Sequence, residues 1–360
     1  MTEAPAGSQH VSSTYENAGV SIAAGNRAVE LMRASVESAS RPEVVGGIGG
    51  FAGLFDLTPY THLRRPLLAS ATDGVGTKVD VARRMGVHDT IGIDLVAMVI
   101  DDLVVCGAEP LFMTDYIATG QVVPERIASI VSGIAEGCRL AGAALVGGET
   151  AEHPGLLDPD EYDIAGAGTG IVDADDVLGA ERVASGDVLI AMASSGMHSN
   201  GYSLARHVFF TTAGWDVHRH VDELGRTLGE ELLEPTRIYS LDCLALAQSA
   251  RERLHALSHI TGGGLAENLA RVIPGHLSAV IDRSTWTPQP VFGLVESLGG
   301  VDRHELELTF NQGIGMIAVV DPDAADETVQ LMSDRGVRAW ACGQVSEGDG
   351  RVTLTGSYRG

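Results

Sequence analysis

Between Thr90 and Cys106 the chain is apolar almost all the way round a helix: Ile91, Ile93, Leu95, Val96, Met98, Val99, Ile100, Leu103, Val104 and Val105 leave no polar face. A helix of that kind has to be covered on most sides, so it belongs at the centre of a domain. It falls short of the roughly 20 apolar residues that span a bilayer. It also carries Asp94, Asp101 and Asp102. A carboxylate taken out of water without a partner is costly enough to protonate instead, so a buried stripe of three demands cations or donors. Asp94 and Asp101 share one face, about 10 Å apart along the axis. That separation suits two magnesium ions spread along a triphosphate, or one ion and one water or substrate group. The other reading is that Asp101 or Asp102 faces solvent or pairs with an arginine.

A second constraint lies just upstream. The apolar run Pro66 to Ala71 reads as a strand and Thr77 to Met85 as a helix, with Asp73-Gly74-Val75-Gly76-Thr77-Lys78 between them. Gly74 and Gly76 let the backbone approach a polyanion, Asp73 offers a hard oxygen ligand, and Lys78 offers a point charge. Lys78 is the only lysine among 24 cationic side chains, the rest being arginine. A compact ammonium serves a phosphate oxygen differently from a planar fork.

The remaining segments alternate helix and strand. Ser21 to Ser38 is expected as an amphipathic helix, followed by a glycine run in which Gly47, Gly49 and Gly50 either surround an anion with N–H groups or form a mobile loop. Pro110 to Ile117 and Ala143 to Val146 read as strands around a helix from Pro124 to Ala141. Glu149 follows Gly147 and Gly148 as a ligand, a base or a turn cap. Tyr162 to Val172 is a further strand, and the acidic connection after it sets a boundary. The expected organisation is a flexible tail over residues 1–14 and domains at 15–173 and 174–356.

The second half opens with a strand to Ala193 and a polar loop bearing His198, Ser199 and Asn200 before a helix from Tyr202. Such a turn suits a polar ligand. A lone loop histidine is more often simply solvated, and no adjacent carboxylate makes His198 part of a triad. Gly262, Gly263 and Gly264 form a second candidate anion cradle. Strands near 276–281, 317–320 and 337–344 alternate with helices near 291–298 and 324–335, so both halves mix helix and sheet in an α+β fold of two α/β domains.

A net charge of −24 argues against a general nucleic-acid or anionic-membrane binder. The four cysteines, Cys106, Cys138, Cys243 and Cys342, form no CxxC pair and indicate neither zinc nor disulfides. The first residues show no basic start and no apolar run, and a cytoplasmic protein is expected.

The segments VGGIGGFAGLF, ATDGVGTKV, HDTIGIDLVAMVIDDLVVCGAEPLF, VGGETAEHPG, SSGMHSNGYSLAR, EPTRIY and ITGGGLAEN, in this order, resemble the phosphoribosylformylglycinamidine cyclo-ligase family from about Tyr15 to Gln344. The resemblance implies ATP-dependent closure of formylglycinamidine ribonucleotide to aminoimidazole ribonucleotide, the fifth step of purine synthesis. It also implies a homodimer with N-terminal strands in a shared barrel, a C-terminal domain whose sheet is covered by helices, and an active site in the cleft between domains. By motif, Gly47, Gly49, Gly50, Asp73, Gly74, Gly76, Thr77 and Lys78 would serve ATP. Asp73, Asp94, Asp101, Asp102 and Glu149 would serve magnesium. His198, Ser199, Asn200 and Gly262 to Gly264 would hold the substrate, with Lys78 and His198 catalytic. One departure stands out: the family's Asn-Asp-Leu element reads Asp101-Asp102-Leu103 here. Selenophosphate synthetase, which wants a reactive N-terminal cysteine, fits poorly with a first cysteine at Cys106. A hydrogenase-maturation dehydratase is a further rival; thiamine-monophosphate kinase should lack the HSNGYSL loop, and an idle ATP-binding subunit need not keep a second-domain substrate loop.

Overall fold

A computed structural model describes residues 14–359 other than Glu16 and Ile48; the expected tail, Thr14 apart, lies outside them. The first domain is built on helix α1 (Ile22–Ser38), strand β1 (Pro66–Gly74), helices α2 (Lys78–Met85) and α3 (Thr90–Val104), strand β2 (Glu109–Thr119), helix α4 (Pro124–Ala141), and strands β3 (Ala144–Glu152) and β4 (Tyr162–Asp173). The sheet order is β1-β4-β2-β3, antiparallel except for the parallel β2–β3 pair. Before β1, the glycine run joins two short paired strands, Val44–Val45 and Leu54–Phe55.

The apolar girth of α3 has a direct explanation, because the helix is enclosed on three sides. One side lies on the sheet, where a Cβ at Gly168 would meet Val99, Ile100 and Leu103 at about van der Waals distance or less. A second side lies on α4, where Gly92 and Gly133 bring the two backbones together; a Cβ at Gly92 would fall 2.3 Å from the Ile134 nitrogen. The third side meets the second domain, and Asp94 and Asp101 lie there with no exposure. The opposite face of the sheet is covered among the described residues only where Tyr60, Phe55 and Leu63 gather on Ile171, and it leaves Leu68 65% and Tyr116 42% exposed.

The second domain comprises strand β5 (Val188–Ala193), helices α5 (Tyr202–Arg206) and α6 (Ser240–Ala250), strand β6 (Leu254–His259), helix α7 (Gly264–Ala270), strand β7 (Leu277–Asp282), helices α8 (Pro290–Gly299) and α9 (Arg303–Thr309), strand β8 (Ile314–Val320), helix α10 (Ala325–Asp334), and strands β9 (Ala339–Glu347) and β10 (Val352–Thr355). Their order is β6-β8-β5-β9-β7-β10. Every residue of β8 is buried because both faces of the sheet are covered. Leu189 and Ala191 of β5 pack with Leu265 and Leu269 of α7, while Ile190 and Met192 pack with Cys243 and Leu246 of α6 and Met332 of α10. The helix expected from Tyr202 is short; after Arg206 the chain widens into a π-helical turn, His207–Thr212. Such turns commonly accompany functional sites.

Candidate active site

The three aspartates of α3 are each taken up by the second domain. Asp94 Oδ1 accepts from the Thr236 N–H at 2.7 Å, from Thr236 Oγ1 at 2.6 Å and from Lys78 Nζ at 2.9 Å. Asp101 accepts from the Tyr239 N–H at 3.0 Å. Burial pushes its carboxyl up to about 7, against the pull of His259 and the Tyr239 N–H. Asp102 Oδ1 accepts from Nδ1 of His259, at the end of β6, at 2.8 Å. The stripe of three carboxylates meets donors of the second domain along its length. Among the described residues no three His, Cys, Asp or Glu side chains converge on a point where a metal ion would sit. The five carboxylates therefore do not gather into one ligand set within the chain. Glu149 in particular lies exposed on β3 opposite Tyr116, its Oε1 capping the Thr150 N–H at 2.9 Å.

Asp73 ends β1 half-buried, its Oδ1 accepting from the Gly74 N–H at 2.7 Å. Burial raises its pKa, that N–H lowers it, and the charge of Asp102 raises it further. Thr77 is exposed and lies 3.2 Å, hydroxyl to hydroxyl, from Ser203 of α5. Gly47, Gly49 and Gly50 stand on an exposed loop, and a Cβ on Gly47 or Gly49 would touch nothing. Lys78 is placed differently from what its sequence position suggests. It is fully buried, and its ammonium donates to Asp94, to the His198 carbonyl at 3.0 Å and to the Glu234 carbonyl at 2.7 Å. An ammonium has three protons and all three are used, so a phosphate oxygen would have to displace a partner.

The loop after β5 is folded inward. His198 is 1% exposed and held at φ 62°, a left-handed conformation uncommon outside glycine. Its Nε2 faces the Ser195 N–H at 3.2 Å and must accept, so the ring proton sits on Nδ1, which has no partner among the described residues. Burial, then the charges of His259, Lys78 and Arg237, hold its pKa well below the usual value, and the ring is neutral. A neutral ring in this tautomer presents a hydrogen-bond donor at Nδ1. Ser199 pairs with Thr236 at 3.2 Å, and the Asn200 amide oxygen lies 3.7 Å from where a Gly262 Cβ would stand. Asn268 stitches the glycine turn, donating to the carbonyls of Thr261, Gly262 and Gly264. Gly264, at φ 64°, leaves no room for a side chain: a Cβ would fall 1.7 Å from the Glu307 carbonyl oxygen.

His259 is the residue that the sequence reading passes over. Its Nε2 is buried without a partner among the described residues. Burial opposes its charge, but the bond to Asp102 and the charges of Asp101, Asp102 and Asp73 outweigh it and raise the pKa. A histidine two residues ahead of the Thr261-Gly262-Gly263-Gly264 turn was the available signal. Two buried rings, each with one unsatisfied nitrogen, thus lie within electrostatic reach of each other beside two polar loops.

Residues 61–172 match the AIR synthase related protein N-terminal domain and residues 184–355 the corresponding C-terminal domain. A phosphoribosylformylglycinamidine cyclo-ligase of Brevibacillus brevis is 48% identical over 96% of this chain and 99% of its own length. The chain belongs to the phosphoribosylformylglycinamidine cyclo-ligase family. Its fold is also that of hydrogenase maturation protein HypE crystallised with ATP, with a TM-score of 0.67 at 18% identity, covering 94% of this chain and 93% of that one. Thiamine-monophosphate kinase from Stenotrophomonas maltophilia gives 0.64 at 18% identity, covering 92% and 97%. At such identity these two neighbours speak for the fold alone, and membership of the cyclo-ligase family rests on the close relatives. Against the selenophosphate alternative, the Cys106 thiol of this cyclo-ligase family member is raised by burial and donates to the Leu103 carbonyl, a poor start for a nucleophile.

Proposed function

We infer that the protein is an ATP-dependent cyclo-ligase that closes formylglycinamidine ribonucleotide to 5-aminoimidazole ribonucleotide, releasing ADP and phosphate in purine biosynthesis. The observation that carries the reading is 48% identity over 96% of the chain to an enzyme of that name, joined to two buried histidines at the domain seam with one free nitrogen each among the described residues. In the first step the formyl oxygen attacks the γ-phosphorus and the bond to the β-phosphate oxygen breaks, giving ADP. In the second, the amidine nitrogen attacks the formyl carbon, the carbon–oxygen bond breaks and phosphate leaves. No side-chain nucleophile is needed; alignment and charge placement suffice.

The chain's own groups divide this work. The Nδ1–H of His198 donates to the oxygen on which charge collects, being neutral and already oriented by Ser195. His259 Nε2, turned by its bond to Asp102, accepts the proton that the ring-closing nitrogen loses. Gly262 to Gly264, held open by Asn268, receive the substrate's phosphate with Ser199 and Asn200 nearby. The exposed glycine loop and Gly74 to Thr77 take the nucleotide. Asp73 fits a magnesium ion on the triphosphate, since its oxygens sit half-buried beside the Asp102 charge without a cationic side chain bonded to them. When bound, such an ion neutralises phosphate charge. The part of the sheet face left open at Leu68 and Tyr116 supports a homodimer in which a second copy covers it.

The test is a direct reaction of protein, ATP, magnesium and formylglycinamidine ribonucleotide. Aminoimidazole ribonucleotide should form with one ADP per product. ADP released without the imidazole product would overturn the assignment.

A further inference from the structure

Lys78 is among the largest side chains fully enclosed in the protein, and its ammonium bridges three chain segments. One bond stays within its own domain, to Asp94; two cross to the second domain, to the carbonyls of His198 and Glu234. The aromatic ring of Tyr202 closes the chamber, 5.4 Å from Nζ.

We propose that Lys78 is a positioning residue: by gripping the His198 carbonyl from the other domain, it holds the His198 ring with Nδ1–H turned to the reacting atoms. The inference rests on the donor role given to His198 above. A non-glycine residue at φ 62° persists only where its surroundings fix it. Three contacts do so here. The carbonyl is fixed by Lys78, Nε2 by the Ser195 N–H, and the ring edge by Gly315, where a Cβ would fall 2.5 Å from Cε1. The choice of lysine follows from the same chamber. Two carbonyls and one carboxylate converge on a single nitrogen, which a point-like ammonium satisfies and a planar guanidinium does not. That accounts for one lysine in a chain that otherwise uses arginine.

The deciding variant is Lys78→Met with Asp94→Asn, which removes both charges together and leaves Thr236 an acceptor. Folding should survive, whereas kcat should fall by about 100-fold through misplacement of the donor. KM for formylglycinamidine ribonucleotide should rise and KM for ATP should stay within about twofold. In histidine-labelled protein, the ring N–H resonance of His198, assigned with His198→Gln, should shift or vanish. Should the neutral pair fail to fold, Lys78→Arg, which keeps the charge beside Asp94, is read by the same four measurements and should not rescue kcat. Recovery of kcat together with stability would make Lys78 a purely structural group and overturn the proposal. A rise in ATP KM alone would overturn it in favour of direct phosphate contact. If the wild-type protein forms no imidazole product, the cyclo-ligase reading fails separately, and the resonance decides: a shift in the variant supports the positioning role, an unchanged signal overturns it.

Discussion

Asp101 is fully buried at the domain seam, and burial pushes its carboxyl up to about 7. An acid whose folded-state pKa is raised keeps its proton in the native state after the unfolded chain has lost it. Its contribution to stability therefore declines as pH rises from about 4 to 7 and levels off above that. Asp101→Asn should remove that share of the decline, while the buried Asp115 carboxyl, also pushed up to about 7, keeps its own. Urea titrations should find the variant equal to the parent near pH 4 and more stable by about 1–3 kcal/mol at pH 8. Equal stability at both values would mean that the Tyr239 N–H and His259 fully support the charge. The residue scale also shows where sequence stops being informative. Lys78 is singled out by composition, and its position beside a glycine turn suggests phosphate. Its enclosure depends on His198 and Glu234, more than a hundred residues away, and no local pattern announces them. His259 reads as one more alternating residue of β6 until Asp102 is brought to it.

At the level of elements, periodicity carried further. The apolar circumference of α3 requires burial, and the helix is found enclosed by sheet, α4 and second domain. The continuous apolar run of β8 similarly belongs to a strand covered on both faces. What periodicity leaves open is the spacing between elements, which glycines set. Gly133 of α4 faces the start of α3, and a Cβ there would fall 1.7 Å from the Asp89 carbonyl oxygen. Alanine would favour an isolated helix by about 1 kcal/mol. The forced separation of α3 and α4 costs more, so Gly133→Ala should destabilise by about 1–3 kcal/mol net in urea unfolding. A stabilised variant would show that the two helices have room to part.

Across the whole molecule, the clearest unfinished surface is the outer face of the first sheet. Leu68 stands 65% exposed there, with Tyr116 also open to solvent. If a second copy covers this face, Leu68→Asp should shift the protein from dimer to monomer in sedimentation, while the parent stays dimeric at the same concentration. A dimer undisturbed by that change would place the contact elsewhere.

The seam between the two domains has a further consequence, for how the chain is inherited. Asp94, Asp101 and Lys78 find hydrogen-bond partners across it, so either half alone would leave these charged groups without the donors and carbonyls that the other half supplies. The two domains look like modules in their sheets, yet they are not interchangeable parts. A change on one side of the seam selects for a matching change on the other, and recombination between distant relatives at the linker would break several buried bonds at once. Such a chain evolves as one piece.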